Sequence, residues 1–139
     1  MRAWLRLRRC GAGVVALATV VLACGTTAVA QAEFPFDQEM LLDARPLPGS
    51  RRVPILEIAV DGSAQVDLWC HSGTAQVAVA GATIKFTLSS MREVTCTPER
   101  MQRDEVMAAA LAQVTRWRIE QDVIFFTGAA DLRFRLSSH

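Results

Sequence analysis

The sequence has 139 residues, with 15 basic and 14 acidic side chains, a formal net charge of +1 and an apolar fraction of 51%. That length suits one domain with a single modest core and is too short for two. The near-neutral balance excludes the basic footprint of a nucleic-acid-binding protein, and neither an internal repeat nor a low-complexity tract is present.

In chain order, Arg2, Arg6, Arg8 and Arg9 precede the uncharged run Gly11 to Ala23, which leads into Ala28-Val29-Ala30 and Ala30-Gln31-Ala32. A basic start, an apolar centre and a small-residue cleavage site are the parts of a secretory signal peptide, assigned to residues 1–32. A membrane anchor needs roughly 20 apolar residues, more than this run supplies, so no transmembrane segment is expected after cleavage. The mature chain is expected to begin near Gln31 or Glu33 and to be released into the periplasm. Val21-Leu22-Ala23-Cys24 also resembles a lipobox, so the alternative is a lipoprotein anchored through an acylated Cys24. Residues 1–32 contain four of the basic groups and none of the acids, so the remainder carries a charge of about −3 and part of the apolar excess is lost with the signal.

Residues 33–52 form an N-terminal extended segment. Phe34 and Phe36 flank Pro35, Met40-Leu41-Leu42 is a short apolar piece, and Pro46, Pro48 and Gly49 follow. Such a stretch is expected to run as an extended edge wrapping a sheet. From Val53 the period changes to two, and residues 53–139 are assigned to one domain.

Val53 to Val60 is an apolar strand ended by Asp61-Gly62, a hairpin turn signal. Ala64, Val66, Leu68 and Cys70 then share one face of a strand, with Gln65, Asp67 and Trp69 on the other. Ser72-Gly73 breaks the chain. Ala75, Val77 and Val79 alternate up to Gly81, and Ile84, Phe86 and Leu88 alternate after it. Beyond Cys96 one helix is expected. Thr97 supplies an N-cap hydroxyl and Pro98 suits the first helical position. Glu99 places negative charge beside the positive helix end. Met101, Met107, Ala108, Leu111 and Val114 form its apolar stripe. Trp117 and Ile119 alternate with arginines up to the turn Gln121-Asp122. Val123 to Thr127 is another strand, and Leu132, Phe134 and Leu136 close the chain. About seven short strands and one inserted helix indicate a mainly β (α+β) fold, an antiparallel curled sheet or small barrel.

The inventory for chemistry is thin. Cys70-His71 suggests a thiol catalyst, but neighbours on a strand point to opposite faces. A zinc site of Cys70, Cys96 and His71 lacks an obvious fourth ligand and the close pairs of structural sites. Asp61, Asp67, Asp104 and Asp122 occupy turns, a strand face and the helix, where solvated acids are ordinarily found. No glycine-rich loop opens a helix to cradle phosphate. The expectation is therefore a protein without catalytic residues, cofactor or metal. Cys10 and Cys24 leave with the signal or are consumed by it, so Cys70 and Cys96 remain, an even pair that suggests a disulfide in an oxidising compartment. Two buried free thiols are the alternative. Arg116, Arg118, Arg133 and Arg135 form a basic stripe if their strands pair, read as a solvated outer face in preference to a site for an anionic partner.

Cys70-His71, Thr95-Cys96, the helix residues Asp104, Met107, Ala108 and Leu111, the hairpin residues Trp117, Ile119, Asp122, Ile124 and Phe126, and the final Leu132 and Phe134 together resemble the META domain, also called HslJ-like. That pattern has Asn where this chain has His71, Gly where it has Gln121, and an aromatic residue where it has Met107. The resemblance spans Val53 to Leu136. It implies a small exported or envelope protein, stress-linked, mainly β and without established catalytic residues. Two functions follow as expectations. One is a non-enzymatic envelope protein that binds another protein or an envelope component, with no nucleic acid partner. The other is a carrier of a small apolar ligand or lipid inside a curled sheet. Phe86, Trp69, Trp117, Phe125 and Phe134 are large enough to fill such an interior, which favours the first.

Overall fold

A computed structural model describes residues 32–137. Residues 1–31 of the expected signal peptide, Cys24 among them, lie outside these residues. Eight strands and one helix follow in order: β1 (Glu39–Leu42), β2 (Ile55–Ile58), β3 (Ser63–Asp67), β4 (Ser72–Ala80), β5 (Thr83–Met91), α1 (Pro98–Ala112), β6 (Val114–Glu120), β7 (Val123–Gly128) and β8 (Leu132–Leu136). Each strand pairs antiparallel with its sequence neighbours, and β1 pairs with β8, so the sheet closes into a barrel. The mainly β barrel with one inserted helix is the expected architecture, with eight strands where about seven were expected.

The additional strand comes from the N-terminal segment. Met40-Leu41-Leu42 does not wrap the sheet from outside. It lies between two strands, with Met40 opposite both Leu56 and Leu136. Once β1 is in place no sheet edge is left open, which removes the row of unpaired backbone groups that invites aggregation.

Alternation decides what fills the barrel. Residues directly opposite in an antiparallel ladder share a face, and the pairs Leu56–Val66, Val77–Phe86, Trp117–Phe126 and Ile124–Phe134 all point inward. Phe126 contacts both Phe86 and Phe134 edge-on, at centroid distances of 5.4 and 5.6 Å. Phe34 closes one end against Trp117 at 4.9 Å. Phe125, expected inside, has the opposite parity. It lies on the outer face, where the Arg118 guanidinium stands 3.8 Å from its ring centroid and that of Arg133 5.5 Å.

The turns use the expected chemistry. Gly62 has φ +83°, and a Cβ there would press on the Val77 carbonyl, so the β2–β3 turn requires glycine on both counts. Beside it the Asp61 carboxylate accepts the Ser63 hydroxyl at 2.6 Å and the Ser63 N–H at 2.8 Å. These bonds, the hydroxyl's first, hold its carboxyl below the usual carboxylate range.

The seam between β5 and β6 is the least zipped part of the barrel, with the one register pair Thr83–Arg116. Trp117 reinforces it: its backbone N–H reaches the Ala82 carbonyl at 3.0 Å and its indole N–H the Gly81 carbonyl at 2.8 Å. Helix α1 packs against β5 and sends Met107 and Leu111 into the core. Thr97 sits at the N-cap in an extended conformation, but its hydroxyl makes no capping bond, contrary to expectation. Met101 is 42% exposed, so the apolar stripe begins later than the sequence suggests. Val114 belongs to β6, not to the helix.

Candidate functional site

Strand β3 stops at Asp67, and the chain turns at once, with the Leu68 N–H donating to the His71 carbonyl at 2.8 Å. Trp69 and Cys70 are therefore turn residues, not alternating strand residues, and Trp69 is buried. The turn also cancels the argument that Cys70 and His71 must diverge, since that held only for an extended strand.

Turning the chain aims three successive backbone N–H groups at one point. Asp104 of α1 occupies it. Its Oδ1 accepts the Trp69 N–H at 2.8 Å, its Oδ2 accepts the His71 N–H at 2.7 Å, and the Cys70 N–H approaches both oxygens at 3.3 and 3.1 Å. The arrangement is an anion-binding concavity of backbone amides occupied by the protein's own carboxylate. Oδ2 also meets His71 Nδ1 at 2.8 Å. Asp104 is 4% exposed, so the expectation of a solvated acid is wrong for this residue. Burying a carboxylate costs several kcal/mol, and charge-assisted bonds from three amides and a ring nitrogen offset that cost.

Residue type alone places Asp104 on the surface. Its position carried the signal: it precedes Met107 by three residues and Leu111 by seven, which puts it on the helix stripe that faces the sheet. A charged residue on an apolar stripe is rarely buried unless it is paired.

Cys70 and Cys96 stand at disulfide distance, with a Cα separation of 6.3 Å, inside the roughly 4.4–6.8 Å that a disulfide requires. This second tie joins the same turn to the residue that precedes the Thr97 cap. Beside the turn lies a cavity of about 300 Å³, lined by Leu68, His71, Met91, Glu93, Met101, Asp104, Glu105 and Ala108. The His71 side chain is 18% exposed. With Nδ1 committed to Asp104, Nε2 is the ring atom left to act as acceptor, base or ligand. A second recess, of about 410 Å³, marks the seam between β5 and the start of β6 and includes Ile84, Ala112 and Val114.

The arginines do not form a free basic stripe. β7 separates β6 from β8, Arg133 and Arg135 both pair with Asp43 at 3.3 and 3.1 Å, and Arg118 pairs with Glu120. Among the described residues no helix is long and apolar enough to cross a membrane.

A family model described as META domain matches residues 27–138. No curated protein matches the chain. A solved NMR structure is similar over 72% of this chain and 89% of its own, with a TM-score of 0.57 and 10% identity, which shows a shared fold. A crystal structure of a DUF4847 family protein from Bacteroides vulgatus ATCC 8482 overlaps 59% of this chain at a TM-score of 0.48 and 11% identity, and this chain spans 57% of that one.

Proposed function

The chain belongs to the META domain family, and from that premise we propose that it is a small exported protein of the bacterial envelope that works by binding or bracing, not by catalysis. The observation that carries this reading is the filled barrel. Met40, Leu56, Ile58, Val66, Ile124, Phe126 and Phe134 occupy its interior with essentially no exposure, so contact with a partner falls to the outer surface. The partner is an envelope protein or another envelope component, and a stress-linked role accompanies the family resemblance. The same packing weighs against an apolar ligand or lipid carried inside.

Support for export comes from the basic start, the apolar run and the small-residue site of residues 1–32, and from two cysteines at disulfide distance, an arrangement suited to an oxidising compartment. Support for a non-enzymatic role comes from the lining of the cavity beside His71, whose side chains include no hydroxyl or free thiol nucleophile.

Native mass spectrometry of the protein purified from its own envelope tests the whole reading. The expected species begins near Gln31 or Glu33, lacks two hydrogens for the Cys70–Cys96 bond and carries no small apolar ligand. A stoichiometric co-purifying lipid would reverse the order of the two readings. A diacylated Cys24 would replace release into the periplasm with anchoring at a membrane.

A further inference from the structure

We propose that the reduced form of this domain is a binding site for one thiophilic closed-shell cation, Zn2+ or Cu+, held by Cys70, Cys96 and His71. Their ligand atoms, two Sγ and one imidazole nitrogen, all lie within 4.8 Å of one another. Metal–sulfur bonds of about 2.3 Å and metal–nitrogen bonds of about 2.0–2.1 Å place the donors of a tetrahedral site roughly 3.5–3.8 Å apart. Once the S–S bond is broken the two sulfurs therefore separate to admit the cation, while the imidazole nitrogen is already within 4.8 Å of both. Two thiolates and an imidazole make a soft donor set, which selects Zn2+ or Cu+ over the oxygen-seeking Mg2+ and Ca2+.

The backbone carrying these ligands is fixed by something other than the S–S bond. Asp104 takes the N–H groups of residues 69, 70 and 71, so two of the three ligands sit on a turn clamped to α1. Its bond to His71 Nδ1 at 2.8 Å is the contact that a ligating histidine uses to fix its tautomer and ring orientation. Nε2 then carries the available lone pair. A cavity of about 300 Å³ opens beside His71, the one proposed ligand that lines it, so a fourth ligand, water or an exchange partner, enters from the histidine side. The expected absence of a fourth protein ligand is thus a property of an open three-ligand site, not an argument against one.

Disulfide and metal site are alternative states of the same two sulfurs. A dithiol reductant interconverts them. It gives two electrons and two protons to the Cys70–Cys96 bond, which breaks into two thiols, while the reductant closes its own disulfide. The arriving cation displaces both thiol protons to solvent and forms two metal–sulfur bonds and one metal–nitrogen bond.

The test is anaerobic titration of the dithiol-reduced protein, after removal of the reductant, with Co2+ as a spectroscopic stand-in for Zn2+ and with Cu+ against a competing chelator. One equivalent should bind, with a thiolate-to-cobalt charge-transfer band, and none should bind to the oxidised protein. His71→Ala should weaken binding by at least about ten-fold, the smaller loss seen when a ligating histidine merely loses its supporting partner. Cys96→Ser should abolish the charge-transfer band or halve it with loss of affinity. Failure of the folded, reduced protein to bind either cation overturns the proposal, as does unchanged affinity in His71→Ala. Loss of the far-UV circular dichroism on reduction also overturns it, because the site requires the Asp104 clamp to hold the turn without the S–S bond.

Discussion

Asp104 is a single residue on which two parts of the chain depend. Replacing it with Asn keeps its size but exchanges one acceptor oxygen for a donor that faces backbone N–H groups. Hydrogen bonds to a charged group contribute about 1.5–3 kcal/mol each, and those sharing one carboxylate do not add independently. Asp104→Asn should therefore lower stability by about 2–4 kcal/mol, read as a fall in the urea midpoint with little change in slope. Asp67→Asn, at an exposed position on β3, should stay within about 0.5 kcal/mol and serves as the control. Gln121 is the opposite case, a residue that its own position strains. It has φ +57° in the β6–β7 turn, a left-handed conformation that costs a residue with a side chain roughly 1–2 kcal/mol. The family pattern has glycine there, and Gln121→Gly should raise stability by about 0.5–1 kcal/mol once the extra freedom of glycine in the unfolded chain is counted. Sequence alone located this turn from Gln121-Asp122 and the alternation around it. The sign of φ could not be read, because glutamine has no turn preference of its own.

Helix α1 was legible as an element, and its attachments were not. Thr97, Pro98 and Glu99 marked its start and Met107 and Leu111 its buried stripe, all from local patterning. The ties that orient it are contacts across 26 residues between Cys70 and Cys96 and 33 to 35 residues between the turn and Asp104, which no local period encodes. At its other end the helix meets β7 through a close backbone approach. A Cβ on Gly128 would collide with the Gln113 carbonyl and the Val114 Cα, both backbone atoms with little room to move. Gly128→Ala should consequently force the junction between α1 and β6 apart and cost about 1–3 kcal/mol, the range for overpacking. Thermal unfolding measures the loss. Hydrogen exchange should localise it, with faster exchange at Gln113 to Trp117 and little change in β2 and β3. Uniform acceleration across the barrel would mean that the junction unfolds with everything else and is not a local weak point.

At the scale of the whole molecule, alternation along each strand gave the barrel because closing a small sheet needs little beyond a consistent inward face. Phe125 shows where that reading slipped: in an apolar run of consecutive residues parity alone separates inside from outside, and size was the wrong guide. The strand count slipped for a different reason. β1 has four residues set among prolines, too few to display a period, and its identity as a strand depends on partners at both its sides. Its contribution can be isolated by comparing a chain of residues 32–137 with one that begins at Val53. Both contain the residues from Cys70 to Phe134 that carry the META resemblance, but the shorter chain loses the part of the family match that precedes Val53, including Met40, which has no exposure, and Phe34, which seals one end against Trp117. Removing a buried methionine side chain alone costs about 2–5 kcal/mol, a large share of the roughly 5–15 kcal/mol that holds a domain of this size. The shorter chain would also leave β2 and β8 as unpaired edges, open to pairing between molecules. It should give collapsed amide dispersion in nuclear magnetic resonance spectra and should elute as oligomers or aggregate, while the longer chain is monomeric and well dispersed. A folded, monomeric chain beginning at Val53 would mean that β8 closes on β2 directly and that β1 is a cover over a seven-stranded barrel.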